Sequence, residues 1–272
     1  MPAADPTETI REAAAAFNAG RADEARRLCE AGLKRFPAQP MLHHFLAAVL
    51  FAGGETTAAH GHIEASLTAA PGHAPARLLA AKIARAAGDG AAALAHLDHL
   101  PATSAETLLE RARALSLTPR RDDAIAAWRA VLKSAPQNYE AMARLGRFAW
   151  EDGNRTAALD LLARATAVDC PASTWFDLGL VRQDLRDFAG AAEAFRAALA
   201  KTPGHAEAAV NLGVSLQEGG DLDGAMAAYA SAYRLKPATF GAIAMALTSS
   251  PHGRLWLDEA ALRRALAGSS AA

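Results

Sequence analysis

Residues 172–205 read ASTWFDLGLVRQDLRDFAGAAEAFRAALAKTPGH, and residues 206–239 read AEAAVNLGVSLQEGGDLDGAMAAYASAYRLKPAT. Laid over one another, the two stretches place Gly179 on Gly213, Ala191 on Ala225, Phe195 on Tyr229 and Pro203 on Pro237. The frame runs back to the start of the chain through alanines at Ala25, Ala59, Ala93, Ala124, Ala158, Ala191 and Ala225, in steps of 34, 34, 31, 34, 33 and 34 residues. A period of this size, with helical hydrophobic spacing inside each unit and no strand pattern, marks a stack of helix-turn-helix repeats rather than a closed globular domain. The expected fold class is therefore all-α, a solenoid of about seven units with capping helices at its C-terminal end.

Each unit supplies the same physical parts. Twelve residues before the marker alanine stands a small residue: Ala13, Ala47, Ala81, Ala112, Gly146, Gly179 and Gly213. Four after it stands an apolar and usually large one: Cys29, Ile63, Leu97, Trp128, Leu162, Phe195 and Tyr229. The small residues let two antiparallel helices approach closely, and the large one, a helical turn beyond the alanine, fills the space between them. Five residues before the alanine comes a turn, at Gly20, Gly54, Gly88, Pro119, Gly153 and Gly220, with Arg186 as the exception. Prolines at Pro37, Pro71, Pro136, Pro203 and Pro237 close the second helices, because proline cannot continue a helix.

With these parts in place, the chain resembles the tetratricopeptide repeat family over roughly Pro6 to Thr239. The segments Trp175 to Gly179, Arg186 to Ala191 and the run beginning at Asn211 carry the resemblance nearly residue for residue. It implies a right-handed α-α superhelix. The units fall at 6–39, 40–73, 74–104, 105–138, 139–171, 172–205 and 206–239, between an N-terminal tail at 1–5 and capping helices at 240–268, with a tail at 269–272. The first unit departs from the family pattern at Thr9 and Glu12, the third ends early at Pro101, and the fifth ends in Cys170 and Pro171.

Composition narrows the function. The 272 residues are 51% hydrophobic but only 6% aromatic, so an alanine-rich core between stacked helices is affordable in length. The formal net charge of −1 leaves no basic excess to follow a phosphate backbone, which argues against nucleic acid as a ligand. The N-terminus lacks a basic region followed by an apolar run, and no stretch is long enough for membrane insertion, so a cytoplasmic location is expected. Cys29 sits at a packing position, and two cysteines suggest no disulfide framework. There is no phosphate-cradling glycine loop and no nucleophile elbow. Of the histidines, only His96 and His99 share one helix face, and no ligand set completes a metal site. No catalytic, metal or cofactor residue is assigned, and the chain is expected not to be an enzyme.

The family resemblance puts function on the concave surface, lined by the first helix of each unit. In the first units that surface carries Phe17, His44, Phe45 and Phe51; in the middle Lys82, Arg85, Arg113, Arg144 and Arg147; towards the end acidic residues and Asn211. An apolar, then basic, then acidic order suits an extended or helical segment of another protein. Against it stand two plainer readings. Glu106, Glu110 and Glu140 neutralise the arginines, and Phe45 and Phe51 pack between units. Two binding modes of the family, a carboxylate clamp and a ladder of inward asparagines, are not matched, since only Asn211 occupies the asparagine position. At the C-terminal end Trp256, Leu262 and Leu266 form either a cap or an exposed anchor for a partner. The expectation is a protein-interaction scaffold or adaptor. The alternatives are self-association through the ends, around Phe17 and Trp256, or a recruiting subunit for an enzyme on another chain.

Overall fold

The computed structural model describes residues 5–101, 104–249 and 258–268, and among these every regular element is a helix. Seven helix pairs follow in order: α1 (Pro6–Asn18) and α2 (Ala22–Arg35), α3 (Pro40–Ala52) and α4 (Thr56–Ala69), α5 (Ala74–Ala86) and α6 (Gly90–Leu97), α7 (Ala105–Leu115) and α8 (Arg121–Ser134), α9 (Tyr139–Glu151) and α10 (Arg155–Thr166), α11 (Ala172–Asp184) and α12 (Phe188–Lys201), α13 (Ala206–Glu218) and α14 (Leu222–Leu235). A 3-10 turn at Pro237–Thr239 leads to α15 (Phe240–Ser249), and α16 (Glu259–Ala267) closes the described chain. The helices are alanine-rich and start at local signals. The side chains of Asp5, Asp89, Ser104, Asn138, Asn154, Asp187, Asp221 and Asp258 each accept a hydrogen bond from a backbone N–H in the first turn.

The chain divides into two compact units, Met1–Ala135 and Pro136–Ala272. Within each, the helices of the seven pairs pack each on the next in sequence, and first helices of successive pairs also touch: α1 with α3, α3 with α5 and α5 with α7 in one unit, α9 with α11, α11 with α13 and α13 with α15 in the other. The marker alanines are all buried.

The small and large positions meet as size complements. A methyl group added at Gly179 would lie 2.5 Å from the Phe195 ring, one at Gly213 2.4 Å from the Tyr229 ring, and one at Gly146 2.9 Å from Leu162. Phe195, Tyr229 and Leu162 are fully buried there. Burying a side chain of this size contributes about 1.5–3 kcal/mol, so each glycine makes room for one of the larger favourable terms of its repeat. In the first repeat the complement is smaller: Ala13 and Cys29 are both fully buried, and burial pushes the Cys29 thiol up to about 11, as expected of an inert packing residue.

The turns between paired helices need a left-handed residue. Gly20, Gly54, Gly88, Gly153 and Gly220 have φ between 76° and 88°, and Arg186 adopts the same conformation at φ 59°. The backbone N–H beyond the turn then reaches back across it, Asp187 to the Arg182 carbonyl at 2.9 Å and Asp221 to the Leu216 carbonyl at 2.8 Å. The fourth pair solves the problem differently: Leu117 and Thr118 donate to the carbonyls of Ala114 and Leu115, ahead of Pro119.

At the C-terminal end α16 is capped by Asp258 and stopped by Gly268 at φ 80°. It lies on α14, where Leu262 and Leu266 join Tyr229, Ile243 and Leu247 in one buried cluster. Arg263 sits 3.7 Å over the Phe240 ring, a cation–π contact that ties α16 to α15. Leu262 and Leu266 are therefore not an exposed partner anchor. They cover the last repeat, because that surface would otherwise be bare apolar area. Trp256 lies outside the described residues.

Two substitutions test this account by chemical denaturation. Gly179→Ala is expected to destabilise by roughly 1–3 kcal/mol, with Phe195→Leu in the same chain recovering part of the loss. Arg186→Gly is expected to stabilise by about 0.5–1 kcal/mol, since relief of the left-handed backbone outweighs the added chain entropy.

Candidate functional site

The side-by-side first helices form the surface on which the sequence places binding, and it differs between the two units. In the N-terminal unit the aromatic side chains are packing residues. Phe17 and Phe45 meet edge to face with ring centroids 6.2 Å apart, and Phe45 and Phe51 are half-buried against the core around Leu46, Leu50 and Ile83. His44 is half-buried with its ring 5.1 Å from that of His73.

The basic residues that the sequence places on this surface, Lys82, Arg85 and Arg113, have carboxylate partners. Lys82 donates to Glu106 at 2.5 Å, Arg85 to one Glu110 oxygen at 2.8 Å, and Arg113 to the other at 2.7 Å. Glu110 is 3% exposed, so it is a buried carboxylate held by two guanidinium groups rather than a groove residue. Removing one partner of such a group leaves a buried charge uncompensated and typically costs about 3–5 kcal/mol. Arg85 and Arg113 thus join α5 to α7 and balance Glu110.

The C-terminal unit is arranged differently. Between α9 and α11 opens a pocket of about 350 Å³ lined by Tyr139, Glu140, Arg144, Arg147, Ser173 and Asp177 among others. Arg144 is exposed and makes no hydrogen bond or ion pair among the described residues. Arg147 reaches Asp177 at 3.8 Å and Glu151 at 4.0 Å, distances too long for direct hydrogen bonds. Asp177 is 9% exposed, and burial raises its pKa, with Arg147 and Arg144 pulling the other way and Glu151 adding to the rise. The pocket therefore combines a guanidinium without a fixed partner, a second one loosely held, and a carboxyl group poorly solvated and accepting no hydrogen bond among the described residues. Such a set can take hydrogen-bonding and charged groups from a bound segment. Asn211 offers less: its side chain donates to the Glu207 carbonyl of its own helix at 3.0 Å.

Sequence reasoning placed Arg85 on the binding surface but did not find the role it shares with three other residues, which is to join neighbouring first helices. The four stand eight positions before the marker alanine. Arg85 bonds Glu110, Trp150 donates to Asp184 at 2.6 Å, Gln183 donates to the Asn211 carbonyl at 3.1 Å and to Ser215 at 2.9 Å, and Gln217 donates to the Ala246 carbonyl at 2.8 Å. Gln217 is buried and also accepts from the Tyr229 hydroxyl at 3.0 Å. The position was legible as a fixed offset, but arginine, tryptophan and glutamine share no chemistry that would have flagged it.

The tetratricopeptide repeat family model matches residues 10–74, 109–173 and 176–238, most of the chain. The chain belongs to the tetratricopeptide repeat family. Tetratricopeptide repeat protein 8 of Caenorhabditis elegans is 36% identical over 77 residues, which are 27% of this chain and 15% of that protein. Among solved structures, a tetratricopeptide repeat protein from Parabacteroides merdae matches with TM-score 0.58 at 13% identity, over 78% of this chain and 84% of its own. The hetero-tetramer Cut9-Hcn1 of the APC/C matches with TM-score 0.65 at 14% identity, over 96% of this chain and 48% of that one. MamA of AMB-1 matches with TM-score 0.51 at 21% identity, over 59% of this chain and 96% of that one. These similarities establish the repeat fold. Among the described residues no three histidine, cysteine or acidic side chains converge as a metal site, and no helix is long and apolar enough to cross a membrane.

The state of Asp177 can be read from stability. A carboxyl whose folded pKa is raised costs stability while it is charged, and that cost fades as pH falls through the folded value. Asp177→Asn is accordingly expected to raise the melting temperature at pH 7, a gain of about 1 kcal/mol or more that closes towards pH 3. An unchanged or lowered melting temperature at pH 7 would show that the arginines outweigh burial.

Proposed function

We propose that this tetratricopeptide repeat protein is a non-catalytic interaction scaffold that holds a segment of another protein against the first-helix surface. The pocket between α9 and α11 is its main recognition point. The observation that carries this reading is the contrast within the surface. Arg85 and Arg113 are committed to a buried carboxylate, whereas Arg144 lines an open pocket without a hydrogen-bonded partner among the described residues. A guanidinium presents planar, preorganised donors that match a carboxylate or a backbone carbonyl. Family membership supports the reading, and so does the presence of Cut9 in a hetero-tetramer with Hcn1. The half-buried phenylalanines and the covered C-terminal end leave this pocket as the better-supported contact point.

The test is a crosslinking pull-down from the source cell with the full chain and with a chain carrying Arg144→Ser and Arg147→Ser. Arg113 is left intact, because its removal would read out stability rather than recognition. Loss of a partner from the variant, with its helicity and melting temperature unchanged, supports the reading. A partner list identical to that of the parent overturns the pocket as the recognition point.

A further inference from the structure

Seven of the nine histidines lie between His43 and His99, and they cluster where α3, α4, α5 and α6 of the N-terminal unit meet. His43 of α3 and His62 of α4 bring their Nδ1 atoms to 3.0 Å, with ring centroids 5.3 Å apart, so the rings meet nitrogen to nitrogen rather than face to face. The other nitrogen of His43, Nε2, stands 2.8 Å from the Pro37 carbonyl. A carbonyl only accepts, so Nε2 carries the proton of a neutral His43 and its Nδ1 is a bare acceptor. His62 must then donate its Nδ1–H.

The arrangement leaves room for one proton between the rings. A proton added at His62 Nε2 leaves the contact in place, but a second, on His43 Nδ1, sets two N–H groups against one another at 3.0 Å and breaks it. The groups facing His62 are Arg26 and Glu30 from α2 and His43 from α3. Burial is the largest of the influences that lower its pKa, His43 and Arg26 add to it, and Glu30 opposes them.

The neighbouring residue repeats the problem on the side of α5. His44 packs edge to face on His73 at the start of α5, burial first and His73 second lower its pKa, and the His73 Nδ1 is buried without a hydrogen bond. His96 of α6 stands 3.8 Å from Glu64 of α4. Burial lowers its pKa, Glu64 opposes that, and Arg77, His60 and His99 reinforce it. Helix α3 is thus bordered by a histidine pair towards α4 and another towards α5.

We propose that this histidine seam is an acid-sensitive latch: mild acidification places like charges across both borders of α3 and loosens it from α4 and α5. The sign follows from proton counting. Rings whose folded pKa lies below the ordinary value of about 6.5 bind protons more readily in the unfolded chain. The seam is at full strength above that pH and weakens as pH falls from it towards the folded values. Because Phe45 and Phe51 ride on α3, the aromatic part of the first-helix surface would loosen with it. The latch is independent of whether the α9–α11 pocket binds a partner.

The experiment is hydrogen exchange of the full chain at pH 7.5 and pH 5.5, corrected for the intrinsic pH dependence of exchange, with α12 and α14 as internal references. The protection of α3 and α4 is expected to fall roughly tenfold more than that of the references at the lower pH. His62→Gln, whose neutral amide still donates towards His43 Nδ1, is expected to remove most of that excess loss. An excess no larger than in α12 and α14, or an undiminished one in His62→Gln, overturns the latch. Should His62→Gln fail to fold, proton NMR titration of the parent decides. Rings from His44, His62 and His96 titrating clearly below the rest sustain the proposal, and a single common titration near pH 6.5 overturns it.

Discussion

Everything in this chain depends on how closely two antiparallel helices approach inside a repeat. The Gly179 Cα faces the Phe195 ring with no space for a methyl group, and Gly213 stands in the same relation to Tyr229. Close approach is what lets a chain with 6% aromatic residues build a continuous core, because one large side chain per repeat fills a gap that alanine surfaces on both sides would leave open. The left-handed turns serve the same end: they return the chain within three residues, so the second helix lies against the first. Arg186 shows how strictly the turn is required. It takes a backbone conformation unfavourable for a residue with a Cβ rather than alter the connection.

Polar groups follow from that packing. Once helices are this close, a side chain on the inner edge of a first helix is half-buried and must find a partner on the next. Trp150, Gln183 and Gln217 bond forward to the following first helix or its backbone, and Arg85 does so through Glu110. The charges on this face in the N-terminal unit are consumed in holding helices together. The α9–α11 pocket of the C-terminal unit differs, with Asp177 buried and Arg144 exposed.

The histidines add a second, titratable layer to the N-terminal unit. His43, His44, His62, His73 and His96 are half-buried between helices, where imidazole packs well while neutral and badly when charged. The C-terminal unit has one histidine among its described residues, His205, stacked on Phe176 with ring centroids 4.9 Å apart and capping α13. The two units therefore differ in what holds their helices together as well as in what their surfaces offer.

The sequence by itself determined the family, the all-helical repeat, the sizes of the packing residues and the positions of the turns. All of these are local or recur at a fixed period, so spacing alone exposes them. It also carried the end of the array, since Asp258 and Gly268 are local cap and stop signals for α16. What only the tertiary structure decided is the fate of each polar and aromatic side chain on the first helices. Arg113 and Arg147 occupy the same place in the repeat frame, yet one serves a carboxylate that is 3% exposed and the other reaches its nearest carboxylates at 3.8 Å and 4.0 Å in an open pocket. Leu262 and Leu266 read in the sequence as a cap or, less favoured, as an anchor, and their burial with Tyr229, Ile243 and Leu247 decides for the cap. The physical reason is the same in each case: pairing and burial are set by atoms one repeat away, and a periodic sequence fixes where a residue stands without fixing what it meets.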